Sequence, residues 1–292
     1  MRVRSLVVAA VAALMLVPAV WAKSPRQSMV VNTAWLGAHL KDPNLVLLHV
    51  GDKDEYAAKH IPGARFLSLS DIAVSDRSAT GLILELPPTD DDLKARLEKL
   101  GISDDSRVVV YYGKDWVSPT TRVIFTLDYA GLGDRALLLD GGMGAWMRDG
   151  HDVTDAVPAE RTGKLSALKI RKLIVDADYV LANKDKKGIA LVDGRAAAFY
   201  DGVDTGGSHD QPHRTGHITG AGNFPFTEVT NDELYLRSSE ELRALLAKAG
   251  VQPGDTVLGY CHIGQQMTAV LFAARTLGHK VLLYDGSMQD WS

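Results

Sequence analysis

Cysteine is almost absent from this sequence, because Cys261 is the only one among its 292 residues. A single cysteine excludes an intramolecular disulfide and argues against a structural zinc site, which needs several cysteine or histidine ligands. The nine histidines are not clustered at metal-ligand spacing either. Cys261 is therefore either an inert buried residue or a thiol that is kept free for chemistry.

An excess of basic residues is also lacking, since the formal net charge is −4 and both signs are mixed along the chain. Without an extended basic face, nucleic acid is not an expected partner and a small-molecule substrate is favoured. The length and the hydrophobic fraction of 46% suit two globular domains and exclude a largely disordered chain.

Long apolar runs are confined to the N-terminus. Residues 1–22 have the pattern of a secretory signal peptide, with Arg2 and Arg4 before an apolar run over residues 6–17. The alternative is an uncleaved membrane anchor, but the run is shorter than the roughly 20 residues that a spanning helix needs. We expect a mature chain that begins near Lys23, is periplasmic or secreted, and is not attached to a membrane.

Three blocks of sequence occur twice in the same order, which indicates an internal repeat. The pairs are HIPGA at 60–64 with HITGA at 217–221, residues 93–112 with residues 242–261, and LLLDG at 137–141 before Trp146 with LLYDG at 282–286 before Trp291. We therefore predict two copies of one domain, at residues 29–150 and 172–292, joined by a linker at 151–171.

Each copy alternates short apolar strands with helical patterns, which predicts an α/β domain with a parallel sheet and helices on both faces. The predicted strands are 45–50, 108–112, 136–139, 189–193, 256–260 and 280–284. Capping signals at Thr89 and Ser238 predict helices that follow them, and helical spacing after Cys261 predicts a helix that ends at Gly278.

Cys261 stands where a predicted strand meets a predicted helix, and the free N–H groups and dipole at a helix start favour an ionised thiolate. Tyr112 holds the equivalent position in the first copy, where it cannot perform thiol chemistry. Because a bulky aromatic would be a strange replacement for a core cysteine, we expect this position to lie at the surface end of the strand. The pattern predicts one catalytic domain and one supporting domain.

The segment Cys261-His262-Ile263-Gly264-Gln265-Gln266-Met267 resembles the active loop of rhodaneses, in which a cysteine opens a short loop with glycine at the fourth position. Together with the repeated blocks, it makes the whole mature chain similar to the tandem-domain rhodaneses. The resemblance implies two rhodanese-like α/β domains, a catalytic Cys261, substrate contacts from the loop residues His262 to Met267, and sulfurtransferase activity without a metal or organic cofactor.

The residues support this chemistry independently of the resemblance. Consecutive backbone N–H groups in a tight loop form an anion site, Gly264 lets the chain curl, and a helix that begins near Gln265 adds its positive end. The thiolate of Cys261 would take sulfur from a small anionic donor such as thiosulfate and hold it as a persulfide. The acceptor would be a small thiol, cyanide, sulfite or a dithiol protein.

The loop departs from both common types of the family. Thiosulfate enzymes often carry basic residues after the cysteine, where this chain has His262 and Ile263. Mercaptopyruvate enzymes usually have a loop serine, assisted by a histidine and an aspartate of the first domain. His60 keeps that histidine, but His49 stands for the aspartate and Gln266 for the serine. We therefore expect thiosulfate to be preferred over 3-mercaptopyruvate.

The donor-binding charge is also altered. Phe199 stands where the family often has an arginine that holds the anionic donor, and Arg214 is the candidate replacement; its alternative is a solvated surface arginine. Arg195 is expected to form an ion pair with an acid of its own domain. His60 and His217 begin matched blocks, which favours a packing role for both, although His60 could also face the domain interface and contact substrate.

Two other functions use a cysteine loop of this kind. A phosphatase of the related cysteine-loop class needs an arginine after five intervening residues to bind phosphate. Met267 occupies that position, which argues against phosphatase activity. The stronger alternative is a persulfide carrier or thiol sensor with little turnover, in which Cys261 hands sulfur to a protein partner.

Overall fold

A computed structural model describes residues 24–78, 81–87, 89–114, 117–204 and 214–292. The predicted signal peptide at 1–22 lies outside these residues. Within the described ranges, no helix combines the length and the apolar character needed to cross a membrane.

The first domain is a five-stranded parallel sheet with helices around it. Its strands are β1 (Val30–Val31), β2 (Leu45–Val50), β3 (Arg65–Leu67), β4 (Val74–Ser78), β5 (Gly81–Glu85), β6 (Arg107–Tyr112) and β7 (Ala136–Leu139). Strands β4 and β5 form a separate antiparallel hairpin, and the other five form the sheet. Its helices are α1 (Pro25–Met29), α2 (Thr33–His39), α3 (Lys53–Ala58), α4 (Asp90–Lys99), α5 (Val117–Tyr129) and α6 (Gly142–Arg148). The sheet order is β1-β7-β6-β2-β3.

The second domain repeats this plan. Its strands are β8 (Ile174–Val175), β9 (Ile189–Asp193), β10 (Gly222–Asn223), β11 (Thr256–Tyr260) and β12 (Lys280–Tyr284). Its helices are α7 (Ala177–Asn183), α8 (Ala197–Tyr200), α9 (Ser239–Lys248), α10 (Met267–Thr276) and α11 (Ser287–Trp291). The order β8-β12-β11-β9-β10 is that of the first sheet, strand for strand, so the predicted repeat and the α/β class are confirmed.

The repeat extends to individual hydrogen bonds. The amide of Ile61 donates to the hydroxyl of Tyr111 at 3.2 Å, and the amide of Ile218 donates to the hydroxyl of Tyr260 at 3.0 Å. In both copies, a tyrosine on the central strand thus anchors the turn formed by the first repeated block. This shared bond explains why the block is kept in each half.

The local patterns located the elements well. All six predicted strands form, and only β6 begins one residue earlier, at Arg107. The side chain of Thr89 accepts from the amide of Asp92 at 3.1 Å at the start of α4, and Ser238 forms a capping box with Glu241 at the start of α9. These bonds satisfy amides that a helix leaves without an internal partner.

The two domains share one hydrophobic core, because α5 of the first packs against α10 of the second. Ile124 and Leu127 from α5 belong to the same buried cluster as Val270 and Leu271 from α10. These are equivalent helices, each following the central strand of its own domain. The loop that enters α10 consequently lies beside the first domain.

Candidate active site

Cys261 directly follows β11 and is completely buried, with 0% of its surface exposed. Its amide donates to the hydroxyl of Ser287 at 3.1 Å, and its carbonyl accepts from the amide of Met288 at 3.1 Å. These two bonds hold the cysteine backbone against the start of α11.

The expected surface position for this residue is wrong. Tyr112, its counterpart, is also buried, with 1% exposed, and its hydroxyl donates to the carbonyl of Leu234 in the second domain. An aromatic residue is accommodated because its ring joins the shared core while its polar end finds a partner across the domain interface. Burial therefore does not distinguish the two positions.

Gly264 shapes the loop after Cys261. Its φ of +82° is in the left-handed region that favours glycine. A Cβ at this position would lie 2.1 Å from Oδ1 of Asp285, so no larger residue fits without displacing that carboxylate. Both observations explain the glycine that the sequence comparison with rhodanese loops singled out.

The loop amides are the main chemical feature of the site. The N–H groups of residues 263–266 donate to no other described residue. Helix α10 begins at Met267, two residues later than expected. The backbone carbonyls of Gln265 and Gln266 accept from the amides of Thr268 and Ala269, three residues ahead, which makes a tighter turn than an α-helix. Consecutive unpartnered amides before a helix attract negative charge.

Arg122 of α5 is a site residue that the sequence did not reveal. It is fully buried, and its Nη1 donates to the carbonyl of Gly264 at 2.9 Å and to Oδ1 of Asp285 at 2.5 Å. Its Nη2 donates to Oδ2 of Asp285 at 3.2 Å and to the carbonyl of Leu84 at 3.0 Å. One guanidinium of the first domain thus holds the loop of the second.

Burial and ion pairing act in opposite directions on the carboxylate of Asp285. Burial raises the pKa of Asp285, and the charge of Arg122 opposes that rise. Asp285 belongs to a repeated block, so its own position could have been noticed, but its partner lies 163 positions away in the other domain. No local pattern in the sequence connects the two.

Other contacts join the loop to α5. The amide group of Gln265 donates to the hydroxyl of Ser118 at 3.3 Å. One residue into α10, the hydroxyl of Thr268 lies 2.9 Å from that of Thr121. The loop residue Gln265 and the first turn of α10 therefore contact the first domain, whereas Met267 packs inside its own domain against Gly194 and Gly259.

His262 and Phe199 lie together. Their rings meet edge to face, with centroids 4.5 Å apart and an angle of 86° between the planes. The position where an arginine was sought is thus adjacent to the cysteine loop, but here it offers an aromatic ring. Arg195 makes the expected ion pair, with Nη2 at 2.7 Å from Oδ2 of Asp193, and that prediction is confirmed.

The structure does not bring Arg214 to the loop. Its side chain is exposed and makes no hydrogen bond or ion pair with the described residues, and its neighbours 205–213 lie outside them. As it stands in the structure, Arg214 fits the alternative of a solvated surface arginine.

His60 is not part of the loop surroundings either. It is fully buried, its ring nitrogens lie 2.7 Å from the carbonyl of Tyr56 and 3.2 Å from that of Ala156, and its ring stacks on Tyr56. His217 likewise stacks on Tyr200 and faces its carbonyl at 2.8 Å. The packing role, expected from the symmetry, is the one that both histidines have.

Comparison with known proteins now decides the family. The model of the rhodanese-like domain matches residues 32–149 and 176–292. This chain belongs to the rhodanese family. The match covers both halves, as the repeated sheets require.

Alignments with known proteins cover about nine-tenths of this rhodanese chain. The sulfur carrier protein TtuD of Thermus thermophilus is 31% identical over 278 residues, covering 90% of this chain and 93% of the relative. The thiosulfate sulfurtransferase of Rattus norvegicus is 28% identical over 282 residues, covering 89% and 91%. These relatives support the predicted sulfurtransferase activity.

A solved structure agrees with both domains. The 3-mercaptopyruvate sulfurtransferase of Escherichia coli superimposes with a TM-score of 0.75 at 26% identity, covering 88% of this chain and 98% of that one. Relatives named for either donor therefore match at similar identity. The family alone does not distinguish thiosulfate from 3-mercaptopyruvate.

Proposed function

We propose that this sulfurtransferase moves a sulfane sulfur from thiosulfate, through a persulfide on Cys261, to a thiophilic acceptor. The row of unpartnered amides at residues 263–266 carries the proposal. Such amides stabilise the negative outer sulfur of a persulfide in the same way that they bind other anions.

The reaction needs two displacements. The thiolate of Cys261 attacks the outer sulfur of thiosulfate; the sulfur–sulfur bond of the donor breaks, and sulfite leaves with the bonding electrons. The enzyme then carries a cysteine persulfide. Cyanide or a thiolate attacks its outer sulfur, a new bond to the acceptor forms, and Cys261 leaves as the thiolate with which the cycle began.

Thiosulfate suits a site with few proton donors. Sulfite is a stable anion and needs no proton to leave, whereas removal of sulfur from 3-mercaptopyruvate leaves an enolate that must be protonated. Both ring nitrogens of His60 face backbone carbonyls, and Gln266 stands where a loop serine would act. Because neither His60 nor Gln266 supplies the proton that an enolate needs, we favour the donor that requires no general acid.

A persulfide carrier is the second candidate. Cys261 is 0% exposed, so a donor reaches its sulfur only when covering residues move aside. The Thermus thermophilus relative, at 31% identity, is itself named a sulfur carrier protein. Stoichiometric loading followed by delivery to a protein thiol is compatible with both observations.

Steady-state assays separate these possibilities. We expect transfer from thiosulfate to cyanide or a dithiol to exceed transfer from 3-mercaptopyruvate in kcat/KM, and the Cys261→Ser variant to be inactive with either donor. A clear preference for 3-mercaptopyruvate would contradict the choice of donor. A single burst of sulfite without turnover would favour the carrier.

We further propose that the protein acts in the periplasm or outside the cell after removal of residues 1–22, the segment with the signal pattern. Fractionation of expressing cells and N-terminal sequencing test this. A cytoplasmic protein that retains its first residues would contradict it.

A further inference from the structure

A pair of buried residues in the second domain has no equivalent in the first. Asp193 lies beside Tyr260 in the strand register, and His49 lies beside Tyr111. Because Tyr111 and Tyr260 are equivalent, His49 takes the place of Asp193 in the first domain. Two residues further along, Gly51 takes the place of Arg195.

In the second domain, the space is filled by a guanidinium. Arg195 is 2% exposed and donates to both carboxylate oxygens of Asp193 and to the carbonyl of Gly216. Gly51 has no side chain to do the same, and its hypothetical Cβ would lie 2.9 Å from Nε2 of His49. The first domain therefore lacks the group that satisfies this position in its twin.

A cavity of about 440 Å³ lies here. This volume falls within the range of small-molecule sites, roughly 300–1,000 Å³. The cavity lies at the carboxyl ends of β2 and β6, where the second domain has its own cysteine loop, and Leu234 of the second domain contributes to its wall. Its position is that of a ligand site in a parallel sheet.

His49 is a polar side chain in the wall of this cavity. It is 1% exposed, and neither ring nitrogen has a hydrogen-bond partner among the described residues. Burial and the nearby His60 lower its pKa to about 4 against the opposing effect of Glu55, so the ring is neutral and offers one donor and one acceptor. Buried polar groups nearly always have a partner, so an imidazole without one indicates that something else binds there.

The charges around the cavity define the chemistry of the occupant. Three cations and three carboxylates line it: Lys59, Lys114, Arg148, Glu55, Asp232 and Glu233. Lys114 is ion-paired with Glu55. Such a lining disfavours a ligand with a single sign of charge, while the side chains of Met143, Met147 and Leu234 provide apolar surface.

We propose that this cavity binds a small zwitterionic α-amino acid with an apolar side chain. Its ammonium takes the place of the missing guanidinium, donating to His49 and Glu55, which both flank Gly113. Its carboxylate faces Lys59 and Arg148, and its side chain lies against Met143. The supporting domain thus holds a ligand site of its own.

L-Methionine is the probe, because its thioether cannot donate a sulfane sulfur. We expect the melting temperature of the full chain to rise with its concentration, and calorimetry to show one saturable site. N-acetyl-L-methionine lacks the ammonium and should bind at least about tenfold more weakly, and so should the methyl ester, which lacks the carboxylate. Equal binding of either analogue, or no saturable binding of L-methionine, would overturn the proposal.

The chain offers a matched variant. The double substitution His49→Asp with Gly51→Arg introduces the ion pair that the second domain already accommodates, and it fills the cavity with a guanidinium. We expect it to fold and to lose L-methionine binding, while Leu181→Ala, an exposed change in the other domain, leaves binding intact. His49→Phe, which removes both nitrogens, serves if the double variant does not fold. Undiminished binding in the folded variant would overturn the proposal.

Discussion

The two domains end their central strands with different residues and use them differently. The ring of Tyr112 packs in the shared core and its hydroxyl donates to the carbonyl of Leu234, whereas Cys261 opens a loop in which the amides of residues 263–266 have no described partner. Both side chains are buried. The comparison teaches that this fold supplies the same strand end twice, and that the second copy alone carries a thiol there.

The same comparison shows what both domains retain. Asp140 accepts from the amide of Leu236 at 2.7 Å, and its counterpart Asp285 is held by Arg122. Each aspartate of the repeated block therefore bonds to the opposite domain. The first domain has a tyrosine in place of the cysteine but keeps its aspartate, so a domain without a thiol is still bonded to the domain that carries one.

The largest expected effect comes from removing the sulfur. Cys261→Ser is nearly isosteric and should fold, but it should lower sulfur transfer from thiosulfate at least about 1,000-fold, because no persulfide can form. Tyr112→Phe is the matched control in the other domain and should retain the activity. Comparable rates for the serine variant and the unaltered protein would contradict the assignment of Cys261.

The next largest effect should come from Arg122, which positions the loop. Arg122→Met leaves the buried Asp285 unpaired, and we expect it to lower the free energy of unfolding by about 3–5 kcal/mol in a denaturant titration. It should also speed alkylation of Cys261 in the folded protein, because release of the Gly264 carbonyl loosens the loop beside the buried thiol.

Asp285→Asn is the second arm of a double-mutant cycle with Arg122→Met. Because the two side chains act as one unit, their combined effect on stability should be clearly smaller than the sum of the single effects. Strict additivity would contradict the clamp.

The stability of the protein should depend on pH through His49, the residue that takes the place of Asp193 in the first domain. The pKa of His49 is lowered to about 4, so the unfolded chain takes up a proton at this residue near pH 6.5 and the folded chain does not. Stability should therefore fall as the pH falls from about 6.5 to about 4, by about 3 kcal/mol from this residue. His49→Asn should show a shallower loss in urea titrations over this range; an unchanged slope would contradict the burial of a neutral ring.

The smallest effect should come from the tyrosine that replaces the cysteine. Tyr112→Phe removes one hydrogen bond to Leu234, and we expect a loss of about 0.5–1.5 kcal/mol in the free energy of unfolding. The measurement is chemical denaturation at neutral pH. A much larger loss would indicate that the hydroxyl does more than join the two domains.

Local patterns gave much of the fold. Strands such as Leu45–Val50 and Thr256–Tyr260 follow from apolar runs bounded by turn residues, and the caps at Thr89 and Ser238 follow from neighbouring side chains. The ion pair of Arg195 with Asp193 could be predicted for the same reason, since only two positions separate these residues.

The contacts between the domains could not be predicted in this way. Arg122 meets Asp285 across 163 positions, and Tyr112 meets Leu234 across 122. Such contacts depend on how two finished domains pack, which no short pattern encodes. For this reason the sequence suggested a surface location for Cys261, although the residue belongs to the buried cluster that the two domains share.

The most direct test of the sulfur site is the mass of the protein after incubation with thiosulfate and removal of the excess donor. We expect a gain of one sulfur atom, located on the peptide that contains Cys261 and lost on addition of cyanide, and no gain in the Cys261→Ser variant. An unmodified Cys261 peptide under these conditions, or the same gain in the serine variant, would contradict a persulfide held by the loop amides.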